Sequence, residues 1–355
     1  MLIKKYYSIK DMTFWTRHET LLFILIASIP TVAYVIFAQK WLVLPWTPIA
    51  LVGTAVAFVV GFRNNAVYDR LWEGRKIWGG IVNSSRSFSI LVSDTVTNEY
   101  ANDSNKLSEE ELKKERITII YRHLAWLTAL RYAMRTKKQW ETFMEHKTNR
   151  EWASRINIPE FEIDEKEAIS EYLSDAELAI VMKAPNKCTV IQKLQSQHLR
   201  KLKERGLIWE FSFLALEGHL KDLIALQGKS ERIKNFPYPR QYASLNVYFV
   251  WIFLLLLPLG IIPEFAKIGQ IVAESFPIIG KYFVWFSIPF STLVSWVFHT
   301  MERIGTVGEN PFEGSGNDVP ISTIARGIEI DIRTCVEEDP ENIPKPFEVR
   351  LNIQM

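Results

Sequence analysis

Residues 51–88, LVGTAVAFVVGFRNNAVYDRLWEGRKIWGGIVNSSRSF, decide how this chain is organised. The stretch begins as the end of an uncharged apolar run and then carries charged side chains from Arg63 to Lys76. No proline interrupts it. A helix-compatible run that changes from apolar to polar predicts one helix that crosses from lipid into water.

One face of this predicted helix carries Thr54, Phe58 and Phe62, which follow one another at spacings of four residues. Residues at this spacing lie on the same side of a helix. Phenylalanines in a membrane helix commonly face lipid or a neighbouring helix, and the spacing alone fits that interpretation too. The polar continuation through Asn65 and Asp69 favours a second interpretation, in which the face lines a pore.

Four uncharged stretches approach the roughly 20 residues that a helix needs to cross a bilayer. They are Thr20–Gln39, Trp41–Phe62, Gln241–Pro263 and Tyr282–His299. A secretory signal peptide is the competing interpretation of the first stretch, and the length of its apolar run and the three further spans argue against it.

The order of these spans predicts an all-α integral membrane protein. Basic residues precede the first span and are frequent in the middle region, which places both on the cytoplasmic side, together with both termini. The predicted organisation is a cytosolic segment (1–19), a transmembrane hairpin with the pore neck (20–62), a helical cytosolic region (63–240), a second transmembrane hairpin (241–300) and a cytosolic tail (301–355).

Local signals divide the cytosolic region into helices. Ser108 followed by Glu111 predicts a capping box at the start of a helix. Residues 168–182 read as a second helical unit, and a long amphipathic pattern follows from 189 to 226. Gly206 interrupts that pattern and predicts a break between two helices.

Composition and motifs argue against several classes of function. The net charge is only +2, with no dense basic run, so nucleic acid is not an expected partner. The chain has no nucleotide-binding glycine loop, no GxSxG and no zinc-protease helix, so we do not expect an enzyme. Cys188 and Cys335 are expected to be free thiols. The spans hold no acidic residue, which disfavours a proton-coupled transporter.

Two polar segments each allow two interpretations. The run RNNAVYDRLWEGRKIWGG (63–80) predicts either a solvated helix with pairs of charges one turn apart or a buried polar network between subunits. After Met301, Gly305, Gly308 and later glycines are expected to break any helix. The loop Glu309–Asp318 could offer oxygen ligands from Asn310 and Asp318, but three scattered acids favour a glycine-rich turn over a calcium site.

Three segments together resemble the bestrophin family, specifically its bacterial homologues. They are GFRNNAVYDRLWEGRKIWG (61–79), SERIKNFPYPRQYASL (230–245) and ENPFEGSGNDVPISTIARGIEIDIR (309–333). The resemblance covers most of the chain in the same order and is weakest over 95–205. It implies a homopentamer around one axial pore.

The resemblance also implies roles for individual residues. Thr54, Phe58 and Phe62 match the three turns that form the narrow neck of the family, and Phe211 matches a second, cytosolic aperture. Animal members bind calcium after an NPF motif with consecutive aspartates. Here Asn310 begins that motif and only Asp318 of the aspartates remains, so no cofactor is expected and calcium is doubtful.

The function expected from these observations is passive conduction of small monovalent ions, chloride above all, across a bacterial inner membrane. A monovalent-cation channel of the same fold is one alternative. A secondary transporter or a non-conducting membrane scaffold is another. The expected partners are the lipid bilayer, further copies of the same chain and the permeating ions.

Overall fold

The structure is a computed structural model that describes residues 1–355, and its regular secondary structure is helical. Leu2 and Arg350 form only isolated β-bridges with Ile353. The helices are α1 (Ile9–Val35), α2 (Trp46–Thr95), α3 (Glu109–Arg135), α4 (Lys147–Ala153), α5 (Pro159–Glu162), α6 (Glu165–Ser170), α7 (Asp175–Met182), α8 (Lys187–Glu204), α9 (Glu210–Asn235), α10 (Arg240–Ser275), α11 (Pro277–Tyr282), α12 (Ser287–Gly308) and α13 (Ile321–Cys335).

The α2 helix is the longest element, with 50 residues. At 1.5 Å per residue it extends about 75 Å, far more than the roughly 30 Å thickness of a bilayer core. The prediction of one continuous helix through residues 51–88 is therefore confirmed, and α2 joins the apolar and polar halves of the protein.

Four helical segments are long and apolar enough to cross a membrane: α1, the segment containing α2, α10, and the segment from α11 through α12. Phe23 of α1, Val56 and Val60 of α2 and Phe253 of α10 pack in one apolar cluster. A Cβ added to Gly53 would lie 2.6 Å from the Phe253 ring. The absence of a side chain there lets α2 and α10 approach closely, as is common between membrane helices.

The fourth predicted span, Tyr282–His299, is not one helix. A 3₁₀ turn covers Phe283–Phe286, and α12 begins at Ser287. Pro289 therefore lies in the first turn of α12, where the missing N–H would have no partner within the helix.

The expectation that Gly305 and Gly308 break the helix is wrong, because α12 runs to Gly308. A Cβ at Gly305 would collide with the Asn64 side chain, and one at Gly308 would lie 2.7 Å from Val67. Both glycines face α2. They permit close packing of two helices, and this packing outweighs their weak helix propensity.

The polar region follows its local signals closely. Ser108 and Glu111 form the predicted capping box at the start of α3. Gly206 separates α8 from α9 with φ of +77°, a left-handed conformation that glycine adopts without strain. Residues 168–182 are not one helix, because α6 ends at Ser170 and Ser174 caps a new helix, α7.

The core of the polar region forms where α2, α3, α8, α9 and α13 meet. Trp78, Phe88 and Trp126 are fully buried there. The Trp126 indole donates to Gln227 Oε1 over 2.9 Å, which satisfies its only polar group. Cys188 is buried, Cys335 is exposed, and both are free.

Candidate pore-lining surface

An exposed stripe follows α2, and we call it the α2 stripe. Its members recur every three or four residues and have no cover within the protomer: Leu51, Thr54, Phe58, Phe62, Asn65, Asp69, Trp72 and Lys76. The buried residues Val56, Val60 and Val67 lie on the other side of the helix. The stripe is apolar to Phe62 and polar beyond it, apart from Trp72.

Thr54, Phe58 and Phe62 share one face, as the spacing predicted. The Phe58 and Phe62 side chains are 63% and 71% exposed, which is unusual for two adjacent large rings. Their ring centroids lie 6.4 Å apart and their planes differ by only 24°. Thr54 Oγ1 donates to the carbonyl of Ala50 over 2.9 Å, so its hydrogen is committed to the helix.

Arg63, directly after Phe62, points away from the α2 stripe and is only 4% exposed. It donates to Glu302 over 2.9 Å, to Thr306 Oγ1 over 2.9 Å and to Glu309. Arg240 donates to the second oxygen of Glu309 over 3.0 Å. Arg63 therefore belongs to a buried network inside one protomer, and the interpretation of a network between subunits is wrong for this residue.

The next turns of α2 are held to α9. Arg70 donates to the carbonyls of Ile233 and Phe236, which end that helix, and Arg232 pairs with Glu73 over 2.5 Å. Asp69, directly before Arg70 in the sequence, is exposed on the α2 stripe, and unlike Glu73 it forms no ion pair in the protomer.

Phe211 lies in the first turn of α9 and is 65% exposed. Its ring packs 4.7 Å from that of Trp209, which in turn stacks on Tyr100. The Thr97 amide donates to the Leu207 carbonyl over 3.0 Å, so this cluster lies beside the end of α2. From Phe62 to that end, α2 covers about 50 Å.

The loop after α12 does not fit a calcium ion. Asp318 accepts from the amides of Gly314 (2.7 Å) and Ser315 (3.0 Å) and from the Ser315 hydroxyl, while Arg135 lies 3.9 Å away. The Asn310 amide donates to Glu313. No three His, Cys, Asp or Glu side chains converge on a possible metal position. The Asp318 carboxylate closes its own loop beside a guanidinium, and calcium needs six to eight oxygens.

Glu313 lies in the same loop and accepts from the Phe143 amide over 2.9 Å. Burial, with the nearby negative charge of Asp318, raises its pKa to about 8. Burial also raises the pKa of Asp318, and the Arg135 charge opposes that shift. The loop therefore holds a buried carboxyl group, Asp318, and a half-buried one, Glu313, whose raised pKa favours the protonated form near neutral pH.

Sequence reasoning also missed another buried arginine, Arg303 of α12. It donates to Glu19 over 2.8 Å, to the Trp15 carbonyl over 2.9 Å and to Thr148. These partners lie more than 150 residues away along the chain. The only signal in the sequence is a charge just after an apolar span, which identifies no partner.

The sequence profile of the family described as "Bacterial/Fungal Bestrophin protein" matches residues 16–334. A relative from Escherichia coli (strain K12), called voltage-dependent anion channel-forming protein YneE, is 26% identical over 82% of this chain and 77% of its own length. A relative of the same description from Ralstonia nicotianae, RSc3414, is 26% identical over 82% of this chain and 78% of its own.

A solved structure has the same fold. The crystal structure of a bacterial bestrophin homolog from Klebsiella pneumoniae superposes with a TM-score of 0.70 over 91% of this chain and 99% of that chain. The two sequences are 19% identical, so this similarity is evidence for a shared fold only.

Proposed function

This chain belongs to the bacterial and fungal bestrophin family, and on that premise we propose that it is a membrane-embedded ion channel that conducts small monovalent anions such as chloride. Two relatives are named as forming voltage-dependent anion channels, which supports transport of ions rather than enzymatic catalysis. The observation that carries the proposal is the α2 stripe, an uncovered surface that changes from apolar to polar along one helix.

One helix cannot enclose a pore, so the proposal requires several copies of the chain. We assign a homopentamer in which the α2 stripes of the copies face a common axis. Beside Thr54 and Phe58, an apolar groove of about 630 Å³ is lined by Phe253, Leu257 and Phe298. A groove of this kind next to the stripe is consistent with contact between neighbouring copies.

In this arrangement residues 20–62 and 241–300 cross the bacterial inner membrane, and residues 1–19, 63–240 and 301–355 lie in the cytoplasm. The basic residues before α1 support this orientation. The bilayer and the permeating ions complete the set of partners.

The proposed neck is formed by Thr54, Phe58 and Phe62 of each copy. Rings of apolar side chains can close a narrow pore by excluding water, and small rotations of the side chains can open it. Because the Phe58 and Phe62 rings are nearly parallel, both would turn the same part of the ring, edge or face, toward the axis. Ring edges favour anions and ring faces favour cations.

Phe211 is proposed as a second constriction, near the far end of α2. Its exposed ring, held against Trp209, is suited to narrowing the cytosolic end of the pore. The two proposed constrictions would leave a long polar passage between them.

A monovalent-cation channel is the second candidate, and Asp69 favours it. This unpaired carboxylate lies on the α2 stripe seven residues after Phe62. Five copies would form a ring of negative charge below the neck, which attracts cations and repels anions.

The deciding experiment is the reversal potential of the purified protein in planar bilayers under a potassium chloride gradient. Anion conduction moves it toward the chloride equilibrium potential, and a shift toward that of potassium would select the cation candidate. Absence of conductance in a folded pentamer would favour a scaffold. Saturable uptake of one solute would favour a transporter.

A further inference from the structure

A groove between α1 and α12 is separate from the proposed pore. It encloses about 780 Å³ and is lined by residues of those two helices. We propose that this groove binds an anionic phospholipid, with the phosphate beside Arg17 and one acyl chain along Leu21, Ile24 and Leu293. The site depends on the protein lying in a membrane but not on which ion it conducts.

The groove changes from polar to apolar along its length. Thr13, Arg17 and Thr20 line one end, and Leu21 and Ile24 follow on the same helix. From Thr13 to Ile24, α1 rises about 17 Å, close to the thickness of one leaflet. An amphiphile that lies along α1 would therefore match its headgroup and chain to the groove.

A tryptophan marks the level of the membrane surface in this groove. The Trp296 indole donates to Thr16 Oγ1 over 3.0 Å, which joins α12 to α1 at the polar end. Tryptophan is enriched at headgroup level, where its ring is in lipid and its N–H has a polar partner. The phosphate region of a bound lipid would thus lie at the level of Arg17.

Charge at the polar end is complementary to a phosphate. Arg17 uses one nitrogen for the Phe14 carbonyl and another for Glu151, and its side chain remains 31% exposed. A guanidinium has five N–H groups, so donors remain for a phosphate oxygen. The Arg155 guanidinium lies 5.3 Å from the centroid of the Phe14 ring, which Arg17 approaches to 4.0 Å, and it adds a second positive charge.

The wider surroundings are also basic. Residues 1–19 contain four basic and two acidic side chains. Both acids have partners, because Asp11 completes the capping box with Ser8 and Glu19 pairs with Arg303 over 2.8 Å. Glu151 balances Arg17, so the excess positive charge near the groove comes from the lysines of residues 1–19 and from Arg155, and it favours anionic lipid over zwitterionic lipid.

Thr292 supplies an independent indication of a ligand. The hydroxyls of Thr16, Thr20 and Thr31 in α1 each bond to a backbone carbonyl four residues earlier. Thr292 lines the groove, yet its buried hydroxyl has no partner in the chain. An unpaired hydroxyl in an apolar site is costly, and rotation of the Thr292 side chain toward the groove would let it donate to an ester carbonyl of the lipid.

The test measures the unfolding temperature of the full-length protein in mild detergent, titrated with dioleoyl-phosphatidylglycerol or dioleoyl-phosphatidylcholine. We expect the anionic lipid to stabilise the wild type at lower concentration. Arg17→Gln should weaken its binding about tenfold, which corresponds to about 1.4 kcal/mol. Lys10→Gln is the matched control, since it removes the same charge from an exposed position outside the groove.

A second pair of variants leaves Arg17 intact and so remains informative if Arg17→Gln folds poorly. Leu21→Trp fills the groove and should abolish the lipid effect, whereas Leu25→Trp, exposed on the same helix but outside the groove, should preserve it. Equal losses in Arg17→Gln and Lys10→Gln would overturn the site in favour of diffuse attraction. A changed subunit number in Leu21→Trp would overturn it by showing that another copy of the chain fills the groove.

Discussion

The guanidinium of Arg63 donates to the carboxylate of Glu302 over 2.9 Å, and both side chains are buried where α2 and α12 reach the end of their apolar segments. Glu309 accepts from Arg63 as well. Arg63 and Arg240 together balance the two buried acids, and the Arg63 contacts fix the position of α2 relative to α12. Because Arg63 follows Phe62 directly, this ion pair also orients the α2 stripe.

Replacing Arg63 by Gln should therefore destabilise the protein strongly. The change leaves Glu302 and Glu309 buried without their shared partner, and breaking such a pair costs about 3–5 kcal/mol. Thermal unfolding in detergent would measure the loss. The exposed Arg75 of the same helix is the control, and Arg75→Gln should stay within about 0.5 kcal/mol of the wild type. Equal effects of the two changes would contradict the network.

Replacing Phe58 and Phe62 together by Ala should raise ion flux in liposomes. Removal of the rings widens the proposed neck and lowers the cost of wetting it. Phe249→Ala is the control, because Phe249 is exposed on α10 and lies outside the α2 stripe. Unchanged flux in a folded pentamer of the double variant would show that the constriction lies elsewhere.

Replacing Asp69 by Asn should raise the permeability of chloride relative to potassium, by roughly twofold or more if the carboxylates ring the pore. The reversal potential under a salt gradient reports this ratio directly. Asp175→Asn removes an equivalent exposed charge from α7, far along the chain from the stripe, and should leave the ratio unaltered. A shift of the same size in that control would contradict the placement of Asp69 in the pore.

Replacing Gly305 by Ala should cost about 1–2 kcal/mol. The new methyl group displaces the Asn64 side chain, whose amide now donates to the Met301 carbonyl over 3.0 Å. Gly327 of α13 is the matched control, because a methyl group there meets only open space in the protomer. Gly327→Ala should stabilise by up to about 1 kcal/mol through its better helix propensity. Unfolding temperatures that move in the same direction would contradict the helix contact.

Replacing Glu313 by Gln should change how stability depends on pH. Burial raises the pKa of Glu313 from 4.5 to about 8, so the folded protein holds this proton while the unfolded chain releases it. The wild type therefore loses stability as pH rises from about 4.5 to about 8, and loses no more from this group above that range.

Gln resembles the protonated carboxyl group and does not titrate, so the variant should lack this part of the pH dependence. Between pH 5.5 and 7.5, it should gain about 2–3 kcal/mol relative to the wild type. Unfolding measured at both pH values tests the difference, and parallel curves for the two proteins would argue that Glu313 is ionised when folded.

The sequence by itself determined the features that depend on neighbouring residues. Hydropathy over about 20 residues located the membrane segments, and the unbroken pattern from 51 to 88 indicated the long α2 helix. The capping box at Ser108 and the break at Gly206 rest on groups within a few residues of each other. Backbone hydrogen bonds of a helix join residues four apart, so such signals lie within one short window.

Only the tertiary structure decided the partners of buried groups. Arg63 pairs with Glu302, which is 239 residues away along the chain. Asp318 accepts hydrogen bonds from backbone amides of its own loop and lies beside Arg135. Gly305 and Gly308 stay helical because α2 packs against them, a contact that local propensity does not register. Burial of a charge or a close approach of two helices depends on residues that the fold brings together, so neither can be read from spacing along the chain.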